Sequence, residues 1–269
     1  MGEHMPNEGN IIAVVNNKGG VGKTTLTANL AHALANRKRS VLVVDLDSQC
    51  NATSLLLDPG VAKNSLYEIL SESTTPIEST IYQTNYERLK CLPNVEETSA
   101  LEMDLLAKGL PQSYLILRDT LRYFAMDGFD YVILDCPPNM GFFVISALYC
   151  SDFVIVPILA GSAFSVEGLT KVVKLIGQVR DAGNPDLRFL RLLVNAVDMR
   201  TAMGRISIEQ LTTHFGGDQI FKTPIPTSAA FQQAEHVRKT VIRHAAHSPG
   251  AKAYRELAKE VEAIFGRKE

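Results

Sequence analysis

The stretch NNKGGVGKTTL, residues 16–26, decides the fold. It follows IIAVV (11–15), a β-branched apolar run of strand length. It leads into a pattern over 24–36 in which Leu26, Leu30, Ala33 and Leu34 recur at helical spacing. Strand, glycine-rich loop and helix in that order form a phosphate cradle. The glycines let backbone N–H groups turn inward onto phosphate oxygens, and the helix N-terminus adds a positive dipole. Gly19, Gly20, Val21, Gly22, Lys23, Thr24 and Thr25 are the candidate nucleotide-binding residues. Lys23 is placed to reach the β and γ phosphates and Thr24 to offer its hydroxyl to magnesium. The general phosphate-loop pattern also wants a glycine five positions before Gly22, where Asn17 stands. A second lysine, Lys18, precedes the glycines, although one lysine is enough to hold the phosphates.

Working outward, VLVVD (41–45), YVILD (131–135), FVIVP (153–157) and LRLLV (190–194) read as further strands. Each is almost wholly apolar, as strands covered on both faces must be. Helical patterns are expected over 162–180, 201–215 and 248–265. Alternating β and α predicts an α/β fold: a doubly wound, mainly parallel sheet flanked by helices, with ligands at the C-terminal edge of the strands. Residues 58–112 are less regular and read as an insertion of short helices with one strand at 88–92. Residues 1–10 are expected to be an N-terminal tag or flexible segment with a native start at Met5, ahead of a single domain over 11–269.

The 269 residues are 46% hydrophobic and 21% charged, a globular balance. No apolar run reaches the ~18 residues of a membrane span, and the start lacks a signal-peptide pattern. The four cysteines are scattered without a C-x-x-C pair and read as reduced thiols. A net charge of −2 means that any nucleic-acid contact must come from a local basic patch.

Two further segments carry carboxylates. VLVVDLDSQCNAT ends a strand with Asp45 and Asp47, which two-residue alternation would place on one face; the alternative is that they cap the next turn. YVILDCPPNMG ends an apolar strand with Asp135, a candidate magnesium ligand through water. Pro137 and Pro138 stiffen the loop that follows. Asn195, at the end of LLVNA, could present an amide to a purine edge or merely cap its strand.

KGGVGKTT, residues 18–25, is similar to the deviant Walker A motif of the ParA/MinD family of P-loop ATPases. The likeness extends over 11–262 through DLDSQCNATS, DCPPNMG, VIVPI…S-x-EGL and AKAYRELAKEV, and is closest to the ParA/Soj branch. It implies an ATPase that uses ATP and Mg²⁺, weak alone and stimulated by a partner. Lys18 would be the signature lysine, reaching across an ATP-dependent homodimer to the partner's phosphates as an arginine finger does. Asp47 would orient the attacking water and stand by the metal, with Asp45 behind it near Lys23 or the Mg²⁺ shell. Asp45, Pro137, Pro138 and Gly141 would belong to switch segments, Gly141 as a hinge. Asn195 and Pro226 would frame the adenine. Ser48 and Cys50 replace the usual Pro and Gly.

The branch also implies non-specific binding to double-stranded DNA, release by a ParB-like activator, and a cytoplasmic, nucleoid-associated protein. The arginine that relatives carry after the I-P motif is replaced by Thr227 and Ser228. The candidate DNA contacts are Arg238, Lys239 and Arg243, with Arg200, Arg205 and Lys222 as possible additions. Each could instead be a solvated surface charge. The length before strand 11–15 leaves no room for a helix-turn-helix domain. Two other uses remain open: positioning of a protein cargo on the nucleoid, and a MinD-like membrane switch. The second needs a basic amphipathic C-terminal helix. Tyr254, Leu257, Ala258, Val261, Ile264 and Phe265 do make an apolar face, but Glu256, Glu260, Glu262 and Glu269 accompany it, so the face reads as core packing.

Overall fold

In a computed structural model, residues 10–71, 75–107, 111–160 and 165–266 are described. Residues 1–9 of the expected N-terminal segment, the start of the helix expected at 162, and Glu269 lie outside them. The strands are β1 (Asn10–Val14), β2 (Val41–Asp45), β3 (Tyr82–Gln83), β4 (Leu89–Leu92), β5 (Tyr131–Asp135), β6 (Phe153–Leu159) and β7 (Arg188–Asn195). The helices are α1 (Lys23–Asn36), α2 (Asn51–Leu56), α3 (Leu66–Ser71), α4 (Thr98–Ala107), α5 (Ile116–Gly128) and α6 (Phe142–Cys150). They continue with α7 (Ser165–Ala182), α8 (Ala202–Phe215), α9 (Ala229–His236), α10 (Val241–His244) and α11 (Pro249–Phe265).

The strands form one sheet in the order β3-β4-β2-β5-β1-β6-β7. All neighbours are parallel except the short β3 against β4. The expected strand at 88–92 is β4, and β3 is an antiparallel edge strand that two residues of sequence could not reveal. β1 lies in the middle, between β5 and β6, so the loop that leaves it sits where connections diverge to both sides, the usual ligand crevice of such sheets.

Side chains alternate across the sheet. Ile11, Ala13 and Val15 enter one core with α5, α6 and α7, whereas Ile12 and Val14 enter a second with α1 and α11. On β2 and β5, the odd-numbered Val41, Val43, Tyr131 and Ile133 share that second side. By the same alternation, Asp45 and Asp135 point toward α1. Register pairs Asp135 with both Asp45 and Val14, which brings the two carboxylates side by side at the strand ends.

α1 begins at Lys23 behind Gly22, whose φ of 88° is left-handed, and no side chain caps it. Its first-turn amides therefore have no helical partner and face the loop, which is what an anion site needs. α8 and α11 start where the sequence placed them, because Thr201 and Ser248 cap them from one residue outside. α6 was not legible, since FFVISALYC is apolar all round and buried nearly throughout. The apolar face of α11 is spent in the core: Tyr254, Leu257, Ala258 and Val261 are fully buried against α1 and the sheet. Among the described residues no helix is long and apolar enough to cross a membrane.

Candidate functional site

A cavity of about 610 Å³ opens on the phosphate loop. Gly19, Gly20, Gly22, Lys23, Thr24 and Thr25 line one end, and Asp47 and Pro138 meet them. Lys23 is 7% exposed and its ammonium donates to the Lys18 carbonyl at 3.2 Å. Burial lowers its pKa, while Asp135, Cys136 and Asp47 oppose that shift. Lys18 is exposed, and its own N–H donates to the Asn16 side chain at 3.0 Å. Asn16 is itself fixed by donating to the Pro157 carbonyl at 2.7 Å, which ties the loop to β6. The two lysines thus differ physically: one is inside the cradle, the other outside it.

Asp135 is fully buried. Desolvation first, then the neighbouring Asp45, push its carboxyl pKa well up, and the nearby Thr24 hydroxyl and the charge of Lys23 only partly offset this. The Thr27 hydroxyl donates to one carboxylate oxygen at 3.2 Å, while the other, Oδ2, has no partner among the described residues. A buried carboxylate oxygen without a donor, next to the Thr24 hydroxyl, suits a hydrated cation. The residues present therefore fit magnesium. Thr27 was missed in the sequence, although it lies one turn beyond Thr24 on the same helix face.

Asp45 and Asp47 do not share a strand face as two-residue alternation predicted. β2 stops at Asp45, and the chain turns: the Asp47 N–H donates to Asp45 at 3.1 Å and the Gln49 N–H to Asp47 at 3.0 Å. Asp45 also accepts from the Thr53 N–H at 2.8 Å and its hydroxyl at 2.7 Å, so it anchors α2 while standing beside Asp135 at the strand ends. Burial raises its pKa as well, against those hydrogen bonds. Asp47, half-buried, is the carboxylate that reaches the cavity. Cys50 takes a left-handed φ of 54° at the start of α2, the reason a glycine suits that position.

Gly141 has an ordinary negative φ, so its glycine is not required by conformational freedom. A Cβ there would stand 2.9 Å from the Asn139 side-chain oxygen and 3.0 Å from that of Glu102. Pro137 is buried and Pro138 exposed at the cavity wall.

Asn195 and Pro226 sit together at the end of β7, where the 220–227 segment runs alongside through bridges Leu192–Ile220 and Val197–Pro226. Neither lines the cavity. The Asn195 amide donates to the Val21 carbonyl at 2.8 Å, and its oxygen accepts the Ala196 N–H at 2.9 Å. In this arrangement its polar atoms are engaged with the protein and brace the phosphate loop.

The basic residues chosen for DNA are placed less simply than the sequence suggested. Arg238 and Lys239, in the turn after α9, line the nucleotide-loop cavity as well as a neighbouring cavity of about 600 Å³. Arg243 lines only the second. All three are exposed, and Arg238 holds a left-handed φ of 51°. The turn is pinned to α1: the Val241 N–H donates to Asn29 at 2.8 Å, and His32 Nδ1 lies 2.6 Å from the Thr240 hydroxyl with its ring stacked on Tyr86. Arg200 is instead paired with Asp198, and Arg205 donates to the Met199 and Arg200 carbonyls. Ser228 caps α9, a structural duty for the residue that replaces the basic start.

A family model described as an AAA domain matches residues 9–189. The chain is 39% identical over 251 residues to the chromosome-partitioning ATPase Soj of Thermus thermophilus, covering 93% of this chain and 94% of that protein. It is 35% identical over 260 residues to the sporulation initiation inhibitor protein Soj of Bacillus subtilis, covering 95% and 99%. Among solved structures, cobyrinic acid a,c-diamide synthase from Mycobacterium smegmatis with bound ADP and magnesium matches with a TM-score of 0.81 at 29% identity, over 97% of both chains.

Proposed function

The chain belongs to the Soj/ParA family of P-loop ATPases, and from that premise we propose that it is a DNA-partitioning switch. In this reading an ATP-bound sandwich dimer holds duplex DNA without sequence preference, and a ParB-like partner triggers hydrolysis and release. The carrying observation is the pair of lysines: Lys23 buried in the cradle and Lys18 exposed beside it.

The protein is an ATPase that uses ATP and magnesium. Backbone amides of residues 19–25 and Lys23 hold the phosphates in cis. Thr24 and the open oxygen of Asp135 would hold magnesium through water, with Asp47 nearby. When bound, the ion screens charge on the phosphate oxygens. Asp47 orients the attacking water, since phosphoryl transfer needs positioning more than proton abstraction. Lys18 is supplied to the second subunit's phosphates, where a cation stabilises the charge developing in transfer. Asn195 and Pro226 take the adenine side, which requires the Asn195–Val21 hydrogen bond to open. Residues 45–53 and 135–141 act as the two switch segments. Arg238, Lys239 and Arg243 supply DNA phosphate contacts, enough only when both subunits contribute. Such a protein works in the cytoplasm on the nucleoid, as a single domain over 11–269.

Binding to a random-sequence duplex with ATP, ADP or no nucleotide tests the reading. Salt-sensitive binding with ATP alone, lost in Lys18→Gln while ATP affinity stays, is expected. A Lys18→Gln protein that still dimerised with ATP and bound DNA would refute it.

A further inference from the structure

Thr53, on α2, does not line the phosphate-loop cavity, although Asn51, Ser54 and Leu55 of the same helix do. Its side chain is spent on the protein instead. The hydroxyl donates to Asp45 Oδ2 at 2.7 Å and accepts the Asn94 N–H at 3.0 Å. The Thr53 N–H donates to the same carboxylate oxygen at 2.8 Å. The other oxygen, Oδ1, accepts the Asp47 N–H at 3.1 Å. One carboxylate therefore closes the 45–53 loop, and one hydroxyl ties that closure to the segment after β4.

Asp45 is fully buried and Asn94 nearly so, and in such a place polar groups must find their partners within the protein. Register sets Asp45 beside Asp135, yet the two carboxylates are used differently. Asp135 keeps one oxygen without a partner among the described residues, whereas Asp45 has donors on both. Asp45 is thus committed to the loop. Asp47, two residues on, is held by its own N–H on Asp45 and by the Cys50 N–H on its carbonyl at 2.9 Å. The course of the chain at Asp47 therefore depends on where the Asp45 carboxylate points, and the Thr53 hydroxyl links that carboxylate to the end of a sheet strand.

We propose that Thr53 is a positioning residue for hydrolysis: through Asp45 its hydroxyl fixes the main chain at Asp47, and so the angle at which the Asp47 carboxylate meets the attacking water. The inference rests on the reading of Asp47 as the residue that orients that water. Losing the hydroxyl removes one of the two donors on Asp45 Oδ2 and strands the Asn94 N–H as well. Positioning of this kind is steep, since a misplacement of about 1 Å can cost about a hundredfold in rate.

The test compares the full chain with Thr53→Val, Thr53→Ser and Thr80→Val. Valine keeps the shape and the N–H of Thr53 and removes the hydroxyl, whereas serine keeps the hydroxyl. Thr80 is fully buried, its hydroxyl donates to the Ile77 carbonyl at 2.7 Å, and it does not line the phosphate-loop cavity. Its valine variant therefore reports the loss of a buried hydroxyl alone. The measurements are steady-state ATP hydrolysis with magnesium, affinity for a fluorescent ATP analogue, hydrogen exchange at the Asp47 amide, and the urea midpoint. Thr53→Val is expected to lower kcat roughly tenfold with KM changed less than about twofold, and to speed exchange at Asp47. Thr53→Ser should stay within about twofold of the wild type, and Thr80→Val should lower the urea midpoint with kcat unchanged. Unchanged kcat in Thr53→Val would overturn the proposal. So would an equal fall in kcat in Thr53→Ser, or in Thr80→Val at the same loss of urea midpoint. Asp47→Ala separates the two readings: if it hydrolysed ATP like the wild type, the role of Asp47 would fail and the inference with it. If it were inactive while Thr53→Val was normal, only the role of Thr53 would fail.

Discussion

Gly22 and Asn195 are separated by most of the chain, yet they should behave as one energetic unit. Gly22 has a φ of +88°, and a Cβ added there would stand 2.2 Å from the Asn195 side-chain nitrogen. Gly22→Ala therefore carries two costs. The left-handed backbone costs about 1 kcal/mol for a residue with a side chain. Displacing Asn195 breaks its 2.8 Å hydrogen bond to the Val21 carbonyl, worth about 1 kcal/mol. The sum is about 2 kcal/mol, or a Tm lowered by about 4–8 °C in a chain of this size. Asn195→Ala alone should cost about 1 kcal/mol. The double variant should again cost about 2 kcal/mol, because the hydrogen bond can be lost only once. Urea unfolding of the four proteins without nucleotide measures the cycle. Additive costs, near 3 kcal/mol for the double variant, would refute the steric coupling.

Three other outcomes follow from the electrostatics. Burial, with Arg243 and Arg255 nearby, lowers the His32 pKa from 6.5 to about 4; because the folded state resists the proton, stability held above pH 6.5 is lost as pH falls toward 4. At 1.36 kcal/mol per tenfold this amounts to roughly 3 kcal/mol, so the stability difference between wild type and His32→Gln should change by about that amount, and parallel curves would contradict it. Asp135 is shifted the other way, so its ionisation weakens the unliganded fold as pH rises above the ordinary carboxylate range. Asp135→Asn should then raise the urea midpoint at pH 8 while abolishing hydrolysis; a lowered midpoint would mean that a partner already compensates the charge. Replacing Arg238, Lys239 and Arg243 together with Ala should remove DNA binding and flatten its salt dependence while leaving ATP-driven dimerisation intact, and unchanged DNA affinity would refute that patch.

Much of the fold was legible because its signals are local and strong. β1, the phosphate loop and α1 form one uninterrupted pattern, and four other apolar runs could only be strands covered on both faces. At Lys23 and Thr24 one motif was enough to place residues that line the cavity. The site was not legible where distant segments meet. Nothing near Asp45 in sequence announces that the Thr53 N–H and hydroxyl will both bond one of its oxygens while the Asp47 N–H takes the other. The alternation argument failed at Asp47 because it assumes that the strand continues, whereas the Asp47 N–H turns back onto Asp45.

The basic turn shows the same difference with a larger consequence. By charge alone, Arg238, Lys239 and Arg243 are a surface patch. Placed in the fold, Arg238 and Lys239 form a wall shared by the phosphate-loop cavity and its neighbour. The turn is also fastened to α1, the helix that begins at Lys23, through Asn29 and His32. An anion drawn to these cations therefore acts on side chains that also border the phosphate-loop cavity, and a change at the start of α1 reaches them through two buried contacts. Asn29→Ala would separate the routes. It removes one fastening, leaves every cation in place, and lines the cavity without belonging to the phosphate loop. If the fastening carries the coupling, the ratio of DNA affinities with ATP and ADP should fall in this variant while the slope of binding against log salt, which counts phosphate contacts, stays the same. A changed slope with an unchanged ratio would mean that the cations act only as a patch.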